Sequence, residues 1–263
     1  MYSFLRTSLI LVLMLTGKAP LEAATMLSLS QVSNNGSATN RVRTQLSKDL
    51  AGLYQLPDIH NTNIIQPYTD FDALYALAGS AQDELATLTK QIALMSQTSA
   101  VIPAVKSIER AQAKITNKHA GAVEKITDLA RSSIIAKNSQ ELITAYELLE
   151  QETDIIQVKN RFNNPKQNGY RDINLLVRLP KTQMVVEVQL HLDRIEAIKN
   201  GPEHDNYAKI QQITHNAKQQ QRDISEIESF KVAQLKEEST ILYQVAWQQQ
   251  LMLELKTSFK QMA

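Results

Sequence analysis

The stretch "QMVVEVQLHL", residues 183–192, alternates so strictly that it constrains everything around it. In an extended strand successive side chains point to opposite faces. Glu187, Gln189 and His191 therefore share one face, and Val186, Val188 and Leu190 the other. Upstream, "DINLLVRL" from Asp172 has the same period: Ile173, Leu175, Val177 and Leu179 form an apolar face, with Asp172 and Asn174 opposite. A short turn around Pro180 joins the two runs, so their polar faces adjoin and their apolar faces need a cover. "DIIQVKNRF" from Asp154 and the short "SSIIA" at 132–136 read as further strands.

Helices supply the cover. From Asp70 to Met95 apolar residues recur at three and four spacing, with Asp70 or Asp72 as the cap. Beyond Pro103, "AVKSIERAQAKITNKHAGAVEKI" reads as a second helix on which Lys106, Arg110 and Lys114, four apart, share a stripe. "SQELITAYELLEQE" follows, with Ser139 as its expected N-cap. Past Asn216, Ile224, Ile227, Phe230, Val232, Leu235, Ile241, Val245 and Leu251 lie at helical spacing, as one long helix or two shorter ones. That stripe packs on its own domain or, as a coiled coil, on a helical protein partner or a second copy; Trp247 reads as packing. Helices and strands interleave without strict βαβ repetition, a dinucleotide-binding glycine motif or a P-loop. The order predicts an α+β fold, a mixed β-sheet core flanked by helices, with helical N-terminal and C-terminal extensions.

Composition narrows the function. The chain has 263 residues, a net charge of +1 and no cysteine. There is no global attraction to nucleic acid or anionic lipid, so an anion site has to be a local cluster, and thiol chemistry is excluded. Arg6, the apolar run from Leu9 to Leu15, and Ala23 and Ala24 read as a secretory signal peptide over residues 1–24, too short to span a bilayer. The expected organisation continues with a flexible leader over 25–40, a helical scaffold over 41–102, a central domain over 103–215 and a helical tail over 216–263. Export to the periplasm or beyond follows if the N-terminus is cleaved; otherwise the protein stays in the cytoplasm.

Two carboxylates, Asp128 before one strand and Glu187 within another, stand among Lys106, Arg110, Lys114, Lys159 and Lys166. Mg²⁺ takes hard oxygen ligands, one or two carboxylates plus substrate phosphates, and Lys and Arg neutralise a transferred phosphoryl group. A solvated charged face has the same spacing. The segment "VKNRFNNPKQNGYRDIN" followed by "VVEVQLHL" separates the two readings, because it resembles the core of the RelA/SpoT-type alarmone (ppGpp) synthetase domain, as a divergent member. Lys159, Pro165, Lys166, Gly169 and Tyr170 occupy the matching positions, then Glu187 and Gln189. "VKSIERAQAKITNKHAGAVEKITDLARSSII" resembles the part supplying the ATP-binding helix and first acidic residue, so the likeness spans residues 103–210.

The resemblance implies transfer of pyrophosphate from ATP to the 3′-hydroxyl of a purine nucleotide, a guanosine nucleotide in the family. Carried over, Asp128 and Glu187 hold Mg²⁺ and Glu187 assists deprotonation of the acceptor. Lys106, Arg110 and Lys114 face ATP phosphates, Lys159 and Lys166 hold phosphates of the two substrates, and Tyr170 stacks on the acceptor base beside Asn168 and Gln189. An exported toxin or effector fits this activity; an inactive binding protein that kept the fold is the alternative. The pattern departs from the family at Asn174 (often His), His191 (Arg), Ala104 (Arg), Arg110 (Ser) and Ser133 (Arg, with Arg131 nearby), so the acceptor base is not carried over. His204 and Asp205 tempt an alarmone hydrolase reading, but that metal site needs several ligands from separate helices, and none of the five His has such company.

Overall fold

The computed structural model describes residues 50–260. The expected signal peptide, the leader and the start of the scaffold lie outside the described residues. The chain divides into two units, and residues 48–254 form the one that carries the sheet. The elements are α1 (Phe71–Met95), β1 (Ser99–Val101), α2 (Ile108–His119), β2 (Arg131–Ala136), α3 (Ser139–Glu152), β3 (Asp154–Asn160), β4 (Ile173–Arg178), β5 (Val185–Leu192), α4 (Asp193–Asn200), α5 (Pro202–Gln219) and α6 (Glu226–Lys260). The strands form one five-stranded sheet in the order β1-β2-β5-β4-β3. β2 and β5 run parallel and every other pair antiparallel. This is the expected mixed α+β core, with one edge strand, β1, that three residues were too few to announce.

The alternation in β4 and β5 is realised as read. Val186, Val188, Leu190 and Leu192 join Ile173, Leu175 and Val177, and the parallel register adds Ile134 and Ala136. All are essentially inaccessible, and each aliphatic side chain so buried stabilises the fold by about 2 kcal/mol. α1 and α3 pack on this face. α1 buries Leu74, Ala78, Ala81, Leu85 and Ile92, a 3.6-residue stripe, and Asp70 caps it by accepting from the Ala73 amide at 2.9 Å. Segments before β2 also reach the sheet. Ile59 bridges Val158 through two backbone bonds, and the Gln66 side chain pairs with both the amide and the carbonyl of Val185.

Three local expectations are corrected. The cap of α3 is Asn138, whose Oδ1 accepts from the Glu141 amide at 2.9 Å; Ser139 is buried and donates to the Glu254 carboxylate instead. Lys106 is not on a helix, since Ser107 caps α2 and Lys106 precedes it, so the three-cation stripe does not exist as such. In α6 the packed face runs through Leu235, Ser239, Tyr243, Trp247 and Gln250, while Ile227, Phe230, Ile241 and Val245 are exposed. Of the expected stripe, Leu235 and Leu251 pack on the core, while Ser239, Tyr243 and Gln250, which an apolar count passes over, supply much of the rest of the contact. Trp247 is packed, as read, against Phe162 and beneath the Arg171 guanidinium.

Candidate active site

The sheet's other face is polar, and the register lays it out in rows. Lys159, Asn174, Gln189 and Ser133 lie side by side across β3, β4, β5 and β2; one step along, Leu176, Glu187 and Arg131 form the next row. Glu187 Oε1 accepts from Asn174 Nδ2 at 2.6 Å and Gln189 Nε2 at 3.3 Å. Both bonds fall on one oxygen, which aims the carboxylate and leaves Oε2 available. Gln189 is held in turn by Lys199 of α4, whose Nζ donates to its Oε1 at 3.1 Å.

Asp128 stands just before β2. Its segment is pinned by the fully buried Ile126, Leu129 and Ala130, the Lys106 amide bonds the Leu129 carbonyl, and the Glu187 amide bonds the Ala130 carbonyl. The two carboxylates therefore flank the mouth of one parallel strand pair. Asp128 Oδ2 takes both Lys114 Nζ at 2.8 Å and Lys106 Nζ at 3.1 Å. Burial works to raise the Asp128 pKa, but the two ammonium groups, Lys114 foremost, outweigh it and hold the carboxyl below its usual range. Burial pushes Lys106 down, offset in part by Asp128. Lys106 and Lys114 thus meet at one oxygen although they share no helix face.

The remaining oxygen, Asp128 Oδ1, is buried and has no hydrogen-bond partner among the described residues. A buried unpaired carboxylate oxygen is costly unless something else takes it. Asp128 Oδ1 and Glu187 Oε2 are hard oxygens of the type Mg²⁺ takes, but among the described residues no group of three or more such side chains stands together, so an ion here would draw its other ligands from substrate phosphate and water.

The turn after β3 carries the other expected residues. The Gly169 amide bonds the Lys166 carbonyl at 2.7 Å and the Lys166 amide bonds the Tyr170 carbonyl, a tight turn in which Gly169 takes φ 80°, a conformation glycine alone adopts freely. Asn168 Oδ1 accepts from the Tyr170 amide and so serves the turn itself. Tyr170 is not an open platform. The residue is 5% exposed, its ring edge-on to Tyr243 and His191, and Lys166 Nζ lies 4.8 Å from the ring centroid. Loss of solvation, then Arg161, lowers the Lys166 pKa. Lys159 and Arg110 are exposed, Lys159 in the Gln189 row and Arg110 at the first turn of α2. Arg161, Glu196 and Lys199 were not foreseen in the site, and Asp172 was foreseen only as a residue of the polar face. They come from a strand end, a loop and a helix with no shared period, and only the fold brings them together. His204 is exposed on α5, as is Asp205.

Residues 104–213 match the family model described as "Region found in RelA / SpoT proteins". The chain has a RelA/SpoT-like region. Its span is close to the 103–210 expected, and the fold supports it. The small alarmone synthetase 2 from Bacillus subtilis superposes with a TM-score of 0.54 at 23% identity, covering 72% of this chain and 98% of that one. A Type VI effector, solved with its immunity protein, gives a TM-score of 0.50 at 21% identity, covering 68% of this chain and 96% of that one. No curated protein matches the chain. Within the matched region, the polar sheet face holds Glu187, Gln189 and Lys159, three of the residues that the resemblance named.

Proposed function

We propose that this protein transfers pyrophosphate from ATP to the 3′-hydroxyl of a purine nucleotide, with a guanosine nucleotide as the first acceptor to test. One observation carries the reading: Asp128 and Glu187 face the mouth of the β2–β5 pair, each with an oxygen to spare, and Lys106 and Lys114 stand beside the first. In the reaction the 3′-oxygen bonds to the β-phosphorus of ATP, the bond from that phosphorus to the α-phosphate oxygen breaks, and AMP leaves. Glu187, aimed by Asn174 and Gln189, assists removal of the hydroxyl proton. Lys106, Lys114 and the exposed Arg110 steady the ATP phosphates; Lys159 and Lys166 hold phosphate on the acceptor side. Asp128 and Glu187 would hold Mg²⁺, which would supply positive charge against the phosphates. Tyr170 meets the acceptor base once Lys166 moves off its face.

The test is direct. Incubate the chain from residue 25 with Mg²⁺, ATP and GDP, GTP or an adenine nucleotide, and separate products by charge. A 3′-pyrophosphorylated product and AMP in equal amount support the reading; no product with any acceptor sinks it. An inactive nucleotide-binding protein is the second reading, favoured by the engagement of Asp128 Oδ2 by both lysines, and it predicts binding of nucleotide without AMP release. Export rests on the N-terminal pattern. Because the periplasm lacks ATP, an exported enzyme of this kind acts inside another cell, as a toxin or effector. A reporter fused after Thr25 and recovered only from the cytoplasm would overturn that step.

A further inference from the structure

The deepest polar group on the sheet's polar face has no part in the chemistry above. His191 is wholly buried at the end of β5, one strand step beyond Gln189. Its Nε2 lies 2.7 Å from the Tyr170 hydroxyl, and that hydroxyl lies 2.8 Å from Asp172 Oδ2. On the far side of the ring, Nδ1 is 3.1 Å from Glu196 Oε2. Arg161 closes one end of the chain on Asp172 Oδ1 at 2.6 Å, and Lys199 the other, 3.3 Å from Glu196 Oε2 and 3.5 Å from Nε2. Lys166 and Tyr243 flank Tyr170, with Glu203 near both.

Counting hydrogens gives the inference. Asp172, Tyr170, His191 and Glu196 make three successive contacts, but the phenol brings one hydrogen and a neutral imidazole one more. With both carboxyls ionised, one contact sets lone pair against lone pair in a site closed to water. Nδ1 of His191 is the atom left without a directed bond. A third proton, on one of the two carboxyls, completes the row and ties the Tyr170 hydroxyl from both sides.

We propose that His191 is the positioning residue of the acceptor subsite: a proton shared along Asp172, Tyr170, His191 and Glu196 fixes Tyr170 and, with it, the turn that presents Lys166. The inference rests on the reading of this face as a nucleotide site. Through Glu196 and Lys199 the same row reaches Gln189 and Glu187, so acceptor position and base position are set together.

Steady-state kinetics of the full chain test it. In His191→Phe the KM for the acceptor should rise about tenfold or more, the loss of a charge-assisted contact, while the KM for ATP stays within about twofold. Tyr170→Phe should do the same, and the double variant should be no worse than either single one. Wild-type acceptor KM should climb as rising pH removes the shared proton, and that climb should vanish in His191→Phe. Both KM values moving together, neither moving, or additive losses would overturn the proposal. Should the Phe variant not fold, His191→Gln keeps a polar group toward Tyr170 and loses Glu196; an acceptor KM equal to wild type overturns the idea, and a raised one supports it. Should the wild type transfer nothing, the functional reading fails separately, and nitrogen NMR of the ring decides: a hydrogen-bonded Nδ1 supports the shared proton, a free one refutes it.

Discussion

Asp128 has a part in stability that can be separated from its proposed part in transfer. Lys106 is nearly buried and Asp128 is its counter-charge, so Asp128→Asn leaves an ammonium without one. Removing one partner of a buried pair costs about 3 kcal/mol, whereas Glu187→Gln, on a half-exposed side chain whose hydrogen bonds come from the neutral amides of Asn174 and Gln189, should cost far less. We predict that both variants lose transfer activity by at least about a hundredfold, while only Asp128→Asn shows a large drop in urea midpoint. The pH dependence has a definite sign. The folded pKa of Asp128 lies below its unfolded value, so its contribution is present above the usual carboxylate pKa of about 3.9 and is lost as pH falls through the folded value. Urea melts from neutral pH downward should show wild-type stability falling more steeply than that of Asp128→Asn in this acid range; parallel curves would refute the assignment.

At the scale of the element, two glutamines do work usually done by a strand. Gln82 of α1 donates to the Arg131 carbonyl and accepts from the Arg131 amide, both at 3.0 Å, and Gln66 makes the matching pair with Val185 while also bonding the Ile126 carbonyl. The starts of β2 and β5, which carry the site, are thereby closed by side chains from outside the matched region. Gln82→Ala should cost about 2 kcal/mol, the penalty for orphaned buried groups, and should loosen Arg131 and the adjacent Glu187 as read by amide exchange. Little of this was legible. The alternation of β4 and β5 announced itself because apolar burial repeats every second residue, and with it came Glu187, Gln189 and the polar face. Gln66 and Gln82 obey no period: their value lies in where the fold puts them. Asn138 and Ser139 illustrate the same limit, since either can cap a helix and only the distant Glu254 decides which is free to do so.

At the scale of the molecule, the family match over 104–213 is less than the folding unit, which runs from Lys48 to Glu254. α1 supplies much of the cover for the apolar sheet face, and α6 supplies Trp247 against Phe162 and Tyr243 against Tyr170. Neither lies in the matched segment. A fragment limited to residues 103–215 would expose Ile134, Val186 and Val188 on one side and lose the aromatic wall around Tyr170 on the other. We predict that this fragment shows no cooperative urea transition and poorly dispersed amide NMR signals, whereas residues 48–263 unfold in one step. A third chain ending at residue 225 should keep the sheet, because α1 and α3 remain. It should nonetheless lose acceptor binding before ATP binding, since Tyr243 and Trp247 pack around the turn that holds Lys166 and Tyr170, while Lys106, Lys114 and Asp128 lie at the other end of the polar face. Equal loss of both nucleotides on calorimetric titration would show that α6 supports the whole sheet rather than the acceptor side.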